Sequence, residues 1–145
     1  MAKEAIIVSA CLLGIRSRYN GEEAVSEEVS LLSRKYELIP VCPELLGGLS
    51  VPRPPAEILG GRVIDKEGAD VTANFILGAE KTAEIAERHG CSQAVLKARS
   101  PSCGAGVIYD GTFSGKRISG NGITADRLLS LGINIVSEDN LNALR

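Results

Sequence analysis

Four short apolar runs, spread along the chain, limit what this sequence can fold into more than any other feature. They are "AIIVSA" (5–10), "ELIPVCP" (37–43), "QAVLKA" (93–98) and "INIVS" (133–137). A half-exposed strand alternates apolar and polar residues. A near-continuous run bounded by turn residues reads instead as a strand buried on both faces of a parallel sheet. Parallel neighbours need long crossover connections, and the intervening segments supply them. "SEEVSLLSRKY" (26–36) carries apolar Val29, Leu31 and Leu32, with acids in its first turn and bases in its last, as a helix dipole favours. Residues 73–88 make the clearest helical pattern, with Phe75, Ile76, Ala79, Ala83, Ile85 and Ala86 on one face. Thr72 or Asn74 is its expected cap and Gly90 its end. "TADRLLSLG" (124–132) and "EDNLNALR" (138–145) read as further helices.

The predicted class is therefore α/β: a three-layer, Rossmann-like, mostly parallel sheet with helices on both faces. One domain is expected over residues 1–145. "VIYDGTFSGKRISG" (107–120), with turns at Asp110-Gly111 and Ser114-Gly115, predicts a small surface β-hairpin. A second hairpin is expected in 62–72, turning at Lys66-Glu67-Gly68. Residues 44–61 hold four glycines and three prolines, too punctuated for a regular element, and are expected to be a functional loop.

Composition removes several function classes. The formal charge is −2 without a basic run, so no long nucleic acid is expected to be held by its phosphates. No Trp, two Phe and three Tyr do not suit a protein that stacks many bases. The apolar stretch 5–15 beside Lys3 is too short to span a bilayer and closes without a cleavage pattern. No membrane association and a cytoplasmic location are expected. There the cysteines at 11, 42, 91 and 103 are free thiols, metal ligands or catalysts, not disulfides. Nothing in the sequence indicates an oligomeric state.

In parallel α/β sheets, ligands bind outside the carboxyl ends of the strands. Cys11 follows the first strand, Cys42 ends the second, and Cys103 lies five residues past the third, in "KARSPSCGAG" (97–106). All three fall at that edge. Cys91 precedes the third strand and is expected to be a small core residue. Zinc fits poorly, because structural zinc sites use closely spaced cysteine pairs and a fourth ligand, and His89 lies on the wrong side. An iron–sulfur cluster accepts thiolates from distant loops; three of them leave one iron open as a Lewis acid. A cysteine phosphatase needs an arginine six positions after its thiol, where this chain has Ser17 between Arg16 and Arg18.

Two polar residues accompany the thiols. Glu44, two past Cys42, would share its side in an extended segment and serve as a general acid or base; the alternative is a solvated loop residue. Ser100, three before Cys103 and held extended by Pro101, is a substrate-binding candidate or a loop cap. Ser102 reads as a turn former and a weaker candidate. Arg16, Arg18, Tyr19, Arg53 and Lys97 complete the possible substrate contacts.

"SACLLG", "RYNG", "PVCPELLGGLSVPR", "KARSPSCG" and "YDGTFSG", in this order, resemble the small bacterial and archaeal domain that includes the thiouracil desulfidases. The resemblance spans about residues 5 to 137, departing at Asn20, where relatives often have aspartate. It implies a 4Fe–4S cluster held by Cys11, Cys42 and Cys103, with Glu44 and Ser100 in catalysis. The implied reaction is non-redox removal of sulfur from a thiolated pyrimidine base or nucleotide, with peptide N–H groups of the 100–106 loop stabilising developing charge. The same thiols also suit a cluster carrier or sensor, or a dehydratase-like enzyme with a hydroxyl substrate.

Overall fold

The structure, a computed structural model, describes residues 3–22 and 24–145. In chain order its first half comprises β1 (Glu4–Ser9), α1 (Glu27–Leu31), β2 (Tyr36–Val41), α2 (Pro43–Leu46), β3 (Ala56–Leu59) and β4 (Arg62–Asp65). The second half comprises α3 (Thr72–Arg88), β5 (Gln93–Leu96), β6 (Val107–Tyr109), β7 (Arg117–Ser119), α4 (Ile123–Ser130) and β8 (Asn134–Ser137).

The four apolar runs form the central sheet. Its order is β2-β1-β5-β8, and every pair is parallel. Ile7, Ala94 and Leu96 face Ala83, Ala86, Ala125 and Leu128 of α3 and α4. Ile6, Val8, Val95 and Val136, with Tyr36 of β2, face the opposite layer, which holds Leu12 and Val29. Both sheet faces are thus covered by apolar side chains, which is why these strands carry no alternation. The chain leaves β1 toward β2 and later returns on the other side to β5. That reversal opens a crevice at the carboxyl ends of β1 and β5. No helix among the described residues is long and apolar enough to cross a membrane.

Several elements differ from expectation. The 26–36 segment is a five-residue α1, capped by Ser26 on the Val29 N–H, followed by a 3-10 turn at Leu32–Arg34. The closing helix is only a 3-10 turn, Leu141–Ala143. Residues 44–61 are not one loop: they contain α2 and β3, and Gly60-Gly61, at φ 59° and 78°, turns β3 into antiparallel β4. The chain also turns at 66–68, where Asp65 Oδ1 accepts the Glu67 and Ala69 N–H groups, but beyond it only Ile64 and Asp70 pair. At α3, neither Thr72 nor Asn74 caps by side chain. Asp70 Oδ1 accepts the Thr72 N–H at 2.9 Å, and the Asn74 amide donates to the Gly47 carbonyl at 2.9 Å. The β6–β7 hairpin forms as expected.

Candidate active site

The crevice holds a cavity of about 560 Å³, within the range of small-molecule sites. Cys11, Cys42 and Cys103 all line it. Cys11 lies in the 3-10 turn Ala10–Leu13 that follows β1, and is buried. Burial raises its pKa, against the opposing charge of Lys97. Cys42 is the residue before α2, and its thiol donates weakly to the Ser17 carbonyl at 3.7 Å. Cys103 is buried, and desolvation pushes its thiol up to about 12 despite a hydrogen bond from Ser9. Ser9 Oγ accepts the Lys97 N–H at 2.9 Å, so its own proton is free to point at sulfur. Cys91 packs in the core with Ala86 and Ile133, away from this cavity.

Glu44 reaches the cavity for a reason other than extended alternation. Pro43 starts α2 at its first helical position, where a missing N–H costs nothing, and Glu44 follows in the first turn. Its Oε1 accepts from Arg53 Nε at 3.1 Å, with side-chain exposures of 18% for Glu44 and 6% for Arg53. Two more Arg53 donors reach the Ser50 and Ser17 carbonyls, both at 3.0 Å, so the guanidinium is fixed. Burial raises the Glu44 pKa and outweighs the lowering by Arg53. Among the described residues, Glu44 Oε2 makes no hydrogen bond, which leaves it available to a ligand or water.

Ser100 also lines the cavity, and it caps its loop as well. Its Oγ accepts the N–H groups of Ser102 and Cys103, each at 3.0 Å, which sets where Cys103 stands. With two bonds accepted, the hydroxyl proton of Ser100 remains to be donated. Four of the loop N–H groups expected to cradle an anion are already engaged. Those of Ser102 and Cys103 serve Ser100 Oγ, Gly104 N–H serves the Ser100 carbonyl, and Gly106 N–H serves Asn121 Oδ1. Ser102 itself is turned away: it is 1% exposed and shares a 2.8 Å hydrogen bond with Thr124 Oγ1, so it is not a substrate contact.

Arg18, Tyr19, Arg53 and Lys97 all line the cavity, whereas Arg16 does not. Arg18 lies over the Tyr19 ring at 5.9 Å, and Lys97 Nζ pairs with Glu138 at 2.9 Å. Residues beyond the sequence reading are Ser9, Ser17, Glu57, Lys66, Tyr109 and Phe113. The strand-end rule gave a signal for Ser9, at the carboxyl end of β1; the others arrive from loops and hairpins that fold back onto the sheet edge.

No three His, Cys, Asp or Glu side chains among the described residues are gathered closely enough to chelate one metal ion. Three thiols arranged around one cavity, with Cys11 and Cys42 both acting electrostatically on Cys103, do fit a polynuclear cluster, which takes each thiolate on a different iron. The raised thiol pKa values of Cys11 and Cys103 mean that a metal taken up there would have to displace protons.

Fold and site together define a doubly wound α/β protein with a thiol-lined small-molecule cavity at its switch point. A family profile described as 2-thiouracil desulfurase matches residues 6–140, and the chain belongs to that family. It is 46% identical over 147 residues to the uncharacterized protein YbbK of Bacillus subtilis (strain 168), covering 94% of this chain and 97% of that one. Among solved structures, the [4Fe-4S]-dependent thiouracil desulfidase TudS superposes with a TM-score of 0.92 at 46% identity, covering 98% of this chain and 95% of that chain.

Proposed function

We propose that this protein is an iron–sulfur-dependent thiouracil desulfidase that hydrolyses the C–S bond of a thiolated pyrimidine base or nucleotide. The balanced reaction replaces C=S by C=O: water enters, hydrogen sulfide leaves, and no electron donor is used. Family membership and the named activity of TudS support the reaction class. The observation that carries the reading is one cavity of about 560 Å³ that joins three thiols to a partly buried, arginine-held carboxylate.

Cys11, Cys42 and Cys103 would hold a 4Fe–4S cluster, which when bound supplies a Lewis-acidic iron with affinity for sulfur. The chain's own groups do the rest. Glu44 Oε2 takes a proton from the attacking water, and Arg53 on Oε1 fixes the carboxylate's orientation. The raised pKa of Glu44 makes it a stronger base than a solvated carboxylate. Ser100 holds its remaining proton toward the cavity for the leaving sulfur or the ring nitrogen. Lys97 offsets negative charge beside Cys11. A cluster carrier or sensor has no use for the Glu44–Arg53 pair, which favours the enzyme.

The test is anaerobic reconstitution, followed by sulfide release from 2-thiouracil, 4-thiouracil and their nucleosides and nucleotides. Wild-type protein releases sulfide. Glu44→Gln keeps its iron content and slows by about 10²–10⁴-fold, the range of general acid–base residues. Cluster-loaded wild type that releases nothing from any of them would leave the carrier or the hydroxyl-substrate reading.

A further inference from the structure

The chain has only two Phe, three Tyr and no Trp. Phe75 and Tyr36 are core residues, at 1% and 4% exposure. All the remaining aromatic residues, Tyr19, Tyr109 and Phe113, line the thiol cavity. An aromatic-poor protein has thus placed three of its five rings around one site.

Phe113 is the most constrained of the three. It adopts φ 55°, a left-handed conformation that a bulky residue rarely occupies and that persists only where the surroundings enforce it. The enforcing group is on the other hairpin. Glu57 Oε1 of β3 accepts the N–H groups of Gly111 at 3.0 Å and Phe113 at 3.2 Å, gripping the β6–β7 turn from outside. Gly111, at φ 94°, lies so close to β3 that a Cβ there would come within 2.8 Å of the Ile58 carbonyl. Within the turn, Asp110 Oδ1 accepts the N–H and hydroxyl of Thr112 at 3.0 and 2.6 Å. The turn is therefore fixed from two sides, with its one aromatic residue at the cavity.

We infer that Phe113 is a specificity-determining wall, stacking on the face of the planar heterocycle, and that Glu57 is the positioning residue that holds it there. This rests on the substrate being a flat thiolated pyrimidine. A π-face offers such a ring affinity without reading its substituents, so the wall selects for planarity while the sulfur end is read at the thiols.

The test compares Phe113→Leu, which keeps apolar bulk but loses the flat face, with Phe113→Tyr, which keeps the ring. Two quantities are measured on anaerobically reconstituted protein: KM for 4-thiouracil, and the dissociation constant of uracil by equilibrium dialysis. Phe113→Leu raises both by roughly ten- to a hundredfold, the range for loss of a stacked base, with kcat and iron content little changed. Phe113→Tyr stays near wild type. Glu57→Ala weakens uracil binding in the wild-type background and adds little on top of Phe113→Leu, because both act through one ring. Should Phe113→Leu fail to fold, Phe113→Asn, which tolerates left-handed backbone, gives the same reading. Unchanged KM and uracil binding in the ring-less variants, or no uracil binding by wild type, overturns the wall. Additive effects of the Glu57 and Phe113 variants overturn the positioning role. If wild type releases no sulfide, desulfuration falls and uracil binding alone judges the wall.

Discussion

Gly78→Ala, in the middle of α3, places one methyl group on the face of the helix that meets α2, and the structure says what that methyl meets. A Cβ on Gly78 would collide with the Pro43 carbonyl, and one on Gly47 with the Asn74 carbonyl, so α2 and α3 cross backbone against backbone. The Asn74 amide fastens the crossing on the Gly47 carbonyl at 2.9 Å. To reach ordinary contact the helices must separate by about one and a half ångströms, and α2, only four residues long, is the one that yields. It carries Glu44 in its first turn and Cys42 just before it. A displacement of about 1 Å in catalytic groups costs on the order of 10²-fold in rate. Stability responds less clearly. Overpacking costs about 1–3 kcal/mol, while replacing a helical glycine by alanine returns roughly 1 kcal/mol. The expected result is a large fall in sulfide release and reduced iron loading, beside a drop of only a few degrees in melting temperature. The assay pairs single-turnover sulfide release with iron content and thermal melting. Wild-type turnover with full iron content would show that the helix crossing does not set the site.

Three further outcomes are expected. Cys11→Ala, Cys42→Ala and Cys103→Ala each lose most reconstituted iron and acid-labile sulfide, while Cys91→Ala, altered in the core, retains them; full retention in any of the first three refutes the ligand set. Arg53→Met removes the charge that lowers the Glu44 pKa. Since the base must be deprotonated, the rising limb of the pH–rate profile moves to higher pH, and an unmoved limb would separate that limb from Glu44. Asp70, lowered to about 2 by Thr72 and Arg62, binds protons less readily folded than unfolded. Its contribution is therefore present above the ordinary aspartate value of 3.8 and lost as pH falls toward about 2. Asp70→Asn flattens acid denaturation across that window, and an identical acid limb in the variant would refute it.

Much of the sheet and its thiols was legible because parallel strands announce both themselves and their ends. Once four apolar runs are placed side by side, the carboxyl edge is fixed, and Cys11, Cys42 and Cys103 fall on it by counting. Glu44 reaches the cavity from the first turn of α2, because Pro43 begins a helix where a continued strand was expected. Proline followed by an acid after an apolar strand is a helix-start pattern that was present to be read. Pro101 already separates Ser100 from Ser102 in the sequence, but only the turn shows what each hydroxyl meets. One hydroxyl accepts the Cys103 N–H, and the other packs on Thr124, 22 residues away. The β3–β4 hairpin was missed because Pro54-Pro55 precedes a short strand with little β-branched content. Glu57 and Phe113, 56 residues apart, meet through tertiary folding of two hairpins, for which no local pattern exists.

The central claim, hydrolytic removal of sulfur at the thiol cavity, is tested most directly by following oxygen and sulfur together. Anaerobically reconstituted protein is given 4-thiouracil in ¹⁸O-water without any reductant, and sulfide and uracil are quantified, the latter by mass. The account predicts equal amounts of both, with one labelled oxygen in each uracil and continued turnover without an electron donor. Unlabelled product, a requirement for electrons, or a full cluster that leaves 4-thiouracil intact would contradict it.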